Sequence, residues 1–323
     1  MFKVFCAFPM PEECLAPYRN EIDFTVAEKR LSYDELKSRM AEGYDAVVIL
    51  ASLVDKPFLD AAAAAGVRVI ANNMAGVDKI DLPYATEKGI AITNAPFLVT
   101  EATAEHACAL IAATMRNLAC YDREIRRGVW NAPVFTDRAT MIEGSTLGII
   151  GLGRIGKRVA AKMRGMGMKV IYYDKIHMSE EVEKELGVTY VGFEELLKTA
   201  DCVTLHMPYF PDNHHMINAE TLKLMKKSAY LVNASRGALV EEEALAAALK
   251  NGELKGAGLD VFEHEPHPIP ELLELENVTM TPHCASGTWR SRIDIARETV
   301  DGMLAMLKGE VPYQLVNREI LSR

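Results

Sequence analysis

Six residues near the middle of the chain, Gly151-Leu152-Gly153-Arg154-Ile155-Gly156, have the spacing of a phosphate-gripping turn. An apolar run, Thr146–Ile150, precedes them and a helix-like stretch, Lys157–Arg164, follows. The first glycine permits a tight turn, the second lets backbone approach a pyrophosphate, and the third lets helix and strand pack closely. Amides at the helix start then face the anionic phosphates. Asp174 closes the next apolar run, Lys169–Tyr173. A carboxylate there can accept hydrogen bonds from both ribose hydroxyls and repels a 2′-phosphate, which points to NAD over NADP. A lone glycine motif often marks a βα turn that binds nothing. Strand, glycines, helix, second strand and terminal Asp in order favour the nucleotide.

Ligands of open α/β sheets bind beyond the carboxyl ends of the strands. Strand-like Ala229–Asn233 is followed by Arg236; Ala257–Val261 contains Asp260 and is followed by Glu265; Asn277–Thr281 is followed by His283. An arginine, two carboxylates and a histidine are thereby expected on the sheet edge that carries the glycine turn. Hydride transfer to a ketone leaves negative charge on oxygen, and His283 can supply the proton, since imidazole titrates near neutrality. Glu265 would fix its tautomer. Arg236 offers a planar fork for a carboxylate and its neighbouring keto oxygen. Asp260 is placed to meet a nicotinamide amide. Taken singly, each is more often structural; their common edge beside a cofactor turn carries the functional reading. His206 reads as structural or adenine-side, and His214, His215, His264 and His267 as solvated loop residues.

The elements that must position these groups alternate strand and helix, which implies parallel sheets with helices on both faces. In the first hundred residues, strands are expected at Val4–Phe8, Ala46–Leu50, Val67–Ala71 and Ala91–Thr93. Helices are expected at Tyr33–Glu42, Lys56–Ala65 and Leu82–Lys88. Ala104, Cys108, Ile111, Met115 and Leu118 then share one face of a long helix opening near Thr100. Further strands are read at Thr189–Val191 and Asp201–Met207, helices at Ala219–Lys226 and Glu241–Lys250, and a last helix at Arg290–Lys308. The fold expected is a Rossmann-type doubly wound sheet, residues 100–287, inserted into a smaller flavodoxin-like α/β domain, residues 1–99 and 288–323. The two crossings would act as a hinge.

With these residues in view, the chain resembles the D-isomer-specific 2-hydroxyacid dehydrogenase family. The likeness rests on Gly-Leu-Gly-Arg-Ile-Gly at 151–156, Asn-Ala-Ser-Arg-Gly at 233–237, Asp-Val-Phe-Glu-His-Glu-Pro at 260–266 and Thr-Pro-His-Cys-Ala at 281–285. Ala-Gly-Val-Asp-Lys-Ile-Asp at 75–81 looks like its substrate loop. The resemblance implies Arg236, Glu265 and His283 as the catalytic set, with backbone amides near Ala75 and Gly76 holding a substrate carboxylate. It implies cofactor contacts at Thr103, Arg154, Ile155, Asp174, Met207, Pro208, Asn213, Ala234 and Asp260. It also implies a homodimer, with Tyr121–Gly144 and its Trp130 as the dimer arm. Formate-oxidising relatives carry glutamine where Glu265 stands, so formate oxidation is disfavoured. Ala51–Val54 is small and aliphatic. Residues 100–105 and 286–292 are similar to glyoxylate/hydroxypyruvate reductases, so a small 2-keto acid of glyoxylate, hydroxypyruvate or pyruvate type is expected. An NAD-sensing corepressor and a phosphite dehydrogenase are the competing readings.

Composition narrows the field. The 323 residues are 49% hydrophobic and 25% charged, with a formal net charge of −9. That balance disfavours nucleic acid and anionic membranes as partners. Arg123, Arg126 and Arg127 read as a solvated helix face. The start lacks the core of a signal peptide, and no apolar run approaches bilayer length, so a cytoplasmic location is expected. Six cysteines show no CxxC and no His/Cys metal spacing, so they are expected to be reduced, and no metal is expected.

Overall fold

The computed structural model describes residues 1–130 and 135–322 and divides into two compact units, Met1–Val99 with the segment from Gly287 onward, and Thr100–Ser286. The first unit opens with β1 (Phe2–Cys6), α1 (Glu12–Leu15), β2 (Ile22–Val26), α2 (Tyr33–Met40), β3 (Ala46–Ile49), α3 (Lys56–Ala64), β4 (Val69–Asn72), α4 (Leu82–Glu87) and β5 (Ala91–Asn94). Its five strands run parallel in the order β2-β1-β3-β4-β5, the flavodoxin-like arrangement. Side chains alternate between two buried faces: Val4, Cys6 and Val48 enter one core, Phe5, Val47 and Ile49 the other. Burial on both faces is why these strands read as unbroken apolar runs.

The second unit begins with α5 (Thr100–Met115) and α6 (Leu118–Arg126). There follow β6 (Thr146–Ile150), α7 (Arg154–Gly165), β7 (Lys169–Tyr173), α8 (Glu180–Leu186), β8 (Val188–Tyr190), α9 (Phe193–Thr199) and β9 (Cys202–Leu205). The unit ends with α10 (Ala219–Leu222), β10 (Tyr230–Asn233), α11 (Glu242–Lys250), β11 (Gly256–Leu259), α12 (Pro270–Leu273) and β12 (Val278–Met280). Its seven parallel strands are ordered β12-β11-β10-β9-β6-β7-β8, so the winding reverses between β6 and β9. Leu147, Ile149 and Tyr172 fill one face beneath α5 and α7; Ile150, Val203 and Leu231 fill the other. The chain then returns to the first unit as α13 (Trp289–Leu307), capped by the Thr288 side chain and packed on β3, β4 and β5. No helix among the described residues is long and apolar enough to cross a membrane.

Three expectations are corrected. Strand β2 and the short α1 were not foreseen: β2 lies at the sheet edge, and Asp23 and Thr25 interrupt its apolar pattern. Leu118 does not extend the α5 stripe. Asn117 takes the left-handed conformation (φ 56°), the helix breaks, and Leu118 is 55% exposed. The helix read at Ala219–Lys226 is a single turn, α10, whose N-terminus is held by the Asn218 side chain.

Candidate active site

The glycine turn lies where the winding reverses. Gly151 has φ 97°, and a Cβ there would stand 2.8 Å from the His206 carbonyl carbon and 2.9 Å from the Met207 nitrogen. The ends of β6 and β9 therefore approach closely only because the residue is glycine. A Cβ on Gly156 would fall 2.2 Å from the Gly151 carbonyl oxygen, so the first turn of α7 can press on the loop. Gly153 is exposed, with open space where its Cβ would be, and no side chain caps the helix that starts after it. Arg154 is exposed beside it and Ile155 half-buried. Asp174 follows β7; its carboxylate accepts from the Leu152 N–H at 2.7 Å and the Ile176 N–H at 3.1 Å, which fixes it against the glycine turn.

The strands that carry the candidate acid, base and cation are neighbours, β10, β11 and β12. His283 Nδ1 lies 3.0 and 2.9 Å from the two Glu265 carboxylate oxygens. Nδ1–H then donates to Glu265, and Nε2 is the nitrogen left to face a reactant. His283 itself has φ 50°, a left-handed conformation costly for a residue with a Cβ. Asp260, fully buried, holds that loop: its carbonyl accepts the His283 N–H at 2.7 Å, Oδ1 accepts from Thr281 Oγ1 (2.6 Å) and the Cys284 N–H (2.9 Å), and Oδ2 accepts from the Ala285 N–H (3.0 Å). Burial would raise the Asp260 carboxyl, but hydrogen bonds from His106, Thr281 and Cys284 outweigh it and hold it below the usual carboxylate range.

Arg236 is half-buried beyond β10, in a turn shaped by Asn233, whose Nδ2 donates to the Arg236 carbonyl (2.8 Å) and whose Oδ1 accepts from the Ser235 N–H (3.0 Å). The guanidinium donates to the Ser235 carbonyl at 2.7 Å. Gly237 abuts the Phe262–Glu263 peptide so tightly that no Cβ could fit, which brings the Arg236 loop against the segment leading to Glu265.

The remaining candidates of this unit follow β9 and β10 or lie in the first turn of α5. Beyond β9, Met207 is half-buried and Pro208 exposed, and the Ser235 hydroxyl donates to the Met207 carbonyl. Asn213 is buried, and its side chain is spent on its own loop, donating to the Pro208 carbonyl (2.9 Å) and accepting from the Phe210 N–H (2.7 Å). Ala234 and Thr103 are each 8% exposed, the latter in the first turn of α5. In the other unit, Asn94 donates to the Ala75 carbonyl (2.6 Å) and Asn72 to the Gly76 carbonyl (2.7 Å). In a trans peptide N–H opposes C=O, so the N–H groups of Gly76 and Val77 point away from those asparagines.

His106, on α5, was missed by the sequence reading: Nε2 lies 3.1 Å from Thr281 Oγ1 and 3.3 Å from Asp260. His206 is paired with Thr204 Oγ1 at 3.0 Å, and burial pushes its imidazole down to about 4, so it is neutral at physiological pH. One further reading is corrected. His215 is not simply solvated, since it is hydrogen-bonded to Glu263 at 2.9 Å. Arg123 and Arg127 pair with Glu276 on a surface open to water.

Comparison with known proteins decides the family. Residues 108–285 match the model of the D-isomer specific 2-hydroxyacid dehydrogenase, NAD binding domain. A glyoxylate reductase of Korarchaeum cryptofilum is 40% identical over 99% of this chain and 97% of its own length, and one from Pyrococcus horikoshii is 39% identical over the same shares. The chain belongs to the D-isomer specific 2-hydroxyacid dehydrogenase family.

Solved structures of other 2-hydroxyacid dehydrogenases agree. A glyoxylate reductase from Paecilomyes thermophila superposes with a TM-score of 0.85 at 29% identity, covering 97% of this chain and 98% of that one. D-lactate dehydrogenase from Escherichia coli gives 0.84 at 28%, covering 97% and 99%. As a 2-hydroxyacid dehydrogenase the chain is an NAD-dependent oxidoreductase that interconverts 2-keto and 2-hydroxy acids. The matches favour this activity over the corepressor and phosphite alternatives. The residues present fit the cofactor: Gly151 and Gly156 keep the turn tight, Gly153 leaves open space over an uncapped helix start, and Asp174 is fixed beside it.

Proposed function

We propose that this dehydrogenase reduces a small 2-keto acid, glyoxylate foremost, with hydroxypyruvate and pyruvate as close analogues, and that Arg236, Glu265 and His283 carry the chemistry. The observation that carries the catalytic part is the His283–Glu265 pair, which leaves Nε2 available beyond the end of β12, in the same parallel sheet that carries the glycine turn. Bound NADH supplies the hydride. His283, protonated, gives its Nε2 proton to the substrate oxygen as negative charge develops there. Glu265 holds the ring by Nδ1, which keeps Nε2 turned to the substrate. Arg236 grips the substrate carboxylate and polarises the keto oxygen beside it. In the oxidative direction the same imidazole, now neutral, takes the hydroxyl proton.

We assign the substrate carboxylate also to the amides of the Ala75–Gly76 loop, because Asn72 and Asn94 orient its peptides. Thr103, Arg154, Ile155, Asp174, Met207, Pro208, Asn213, Ala234 and Asp260 are proposed to surround the cofactor, with Asp174 on the adenosine ribose. Support for a small substrate comes from relatives named glyoxylate reductase over nearly their whole length. We also read the chain as a homodimer joined through Tyr121–Gly144; residues 131–134 of that stretch lie outside the described residues.

Steady-state loss of NADH absorbance over a panel of 2-keto acids tests the substrate. The expected order of kcat/KM is glyoxylate and hydroxypyruvate above pyruvate, and pyruvate above branched or aromatic analogues. A panel in which the bulky acids lead overturns the size argument.

A further inference from the structure

Outside the site just described, two adjacent imidazoles converge on one carboxylate. His215 Nε2 lies 2.9 Å from both oxygens of Glu263, and His214 Nε2 stands 4.0 Å from Oε1, beyond hydrogen-bond reach. The two rings stack, with centroids 3.8 Å apart and planes 22° from parallel. Neighbouring side chains in extended backbone point to opposite sides. Here His215 is left-handed (φ 49°), which turns both imidazoles the same way. A His–Glu hydrogen bond requires only one ring. A second one, brought to the same carboxylate at the expense of backbone strain, is what a metal-ligand set needs.

We propose that His214, His215 and Glu263 form a binding site for a divalent transition-metal ion, and that zinc is the ion the donor set suits best. Two imidazoles and a carboxylate are borderline-soft N/O ligands, and three of them leave a fourth tetrahedral position for water. The ligand atoms lie within 4.8 Å of one another. Zinc bonds of about 2.0–2.1 Å at tetrahedral angles separate ligand atoms by roughly 3.3 Å. The 2.9 Å pair must open slightly and the 4.0 Å pair close, both within reach of side-chain torsions.

The backbones that carry the ligands are fixed. The His215 N–H donates to the Ala238 carbonyl (2.9 Å), and its carbonyl accepts from Asn218 Nδ2 (3.0 Å). The Glu263 N–H donates to Glu242 Oε1 (2.7 Å), so a second, buried carboxylate adds negative charge nearby. The His214 and Glu263 side chains are 44% and 16% exposed, so an ion has a way in. Once bound, it ties the loop after β9 to the loop after β11 and stiffens the second unit.

Untagged, chelator-treated protein titrated with zinc chloride by calorimetry tests the site. The expected result is one equivalent bound per chain and a higher thermal midpoint with zinc. His214→Ala and Glu263→Gln should each weaken binding by at least the roughly 10–100-fold that even outer partners of a metal cost. His214 is half exposed, so its truncation leaves the fold intact, which circular dichroism checks. Cobalt(II) discriminates this site from the separate His106, Asp260 and Cys284 set. Tetrahedral visible bands without a thiolate-to-cobalt charge-transfer band in the near ultraviolet support the His–His–Glu site. Absence of saturable binding overturns the proposal. So does zinc binding indifferent to His214→Ala, or a thiolate charge-transfer band that disappears in Cys284→Ser.

Discussion

At the scale of single residues, the site turns on how His283 is held. Its left-handed backbone is paid for by Asp260, which receives hydrogen bonds from residues on both sides of it, and its ring is fixed by Glu265. Backbone and ring are thus fixed by different partners, so the imidazole can be removed without releasing the loop. His283→Ala is therefore expected to lower kcat by roughly 10²–10⁴-fold while the NADH dissociation constant and the thermal midpoint stay near wild type. Stopped-flow turnover with fluorescence titration of NADH reads both quantities. A parallel collapse of NADH binding and of the midpoint would mean that the ring only holds the structure together. Arg236, Glu265 and His283 stand out in the sequence as candidates because each follows a strand of a parallel sheet, and all such ends share one edge. His106 and the His214–His215–Glu263 cluster were not. Their convergence depends on where α5 lies and on which strands are neighbours, and no spacing along the chain encodes either.

At the scale of elements, the β6–α7 junction is the part with least room. A methyl group on Gly156 meets the Gly151 carbonyl oxygen at 2.2 Å, a backbone atom that cannot rotate aside. Gly156→Ala should destabilise the second unit by about 1–3 kcal/mol, as overpacking does, and weaken NADH binding because the turn must open. Gly165, in the last turn of α7, has open space around its Cβ position. Gly165→Ala is expected to be neutral or to stabilise by up to about 1 kcal/mol, with NADH binding unchanged. Denaturant unfolding of the pair checks the contrast, and equal effects would show that the close contact at Gly156 relaxes freely. The buried parallel strands were legible as apolar runs bounded by turn residues. Strand β2 was not, since an edge strand with Asp23 and Thr25 mimics a loop. The break at Asn117 escaped notice because an asparagine in left-handed backbone replaces the glycine that usually signals such a stop.

At the scale of the whole molecule, one stretch of the second unit exposes several large apolar side chains. Leu118 and Ile125 on α6 are 55% and 54% exposed, and Trp130, Phe135 and Met141 beyond it are 83%, 104% and 70% exposed. Scattered apolar residues on a surface need no explanation, but a run of five from one short stretch of chain does. Each copy carries a net charge of −9, so general electrostatics oppose association and the apolar contact must supply the driving force. A stable pair needs roughly 800 Å² covered on each partner, and buried aromatic anchors contribute most of its affinity. The wild-type protein is accordingly expected to sediment at twice the chain mass. Ile125→Glu with Trp130→Ser should raise the dimer dissociation constant at least roughly 100-fold, because an unpaired carboxylate replaces an apolar contact and an anchor is lost. Both positions are exposed in the single chain, so its fold should survive and the double variant should sediment as a monomer at micromolar concentration. A variant that still sediments at dimer mass would place the contact on another face, and a monomeric wild type would remove the homodimer altogether. The glycine turn and the His283–Glu265 pair are built within one chain, so the monomeric variant should still bind NADH. Activity lost with NADH binding retained would show instead that association positions part of the catalytic set.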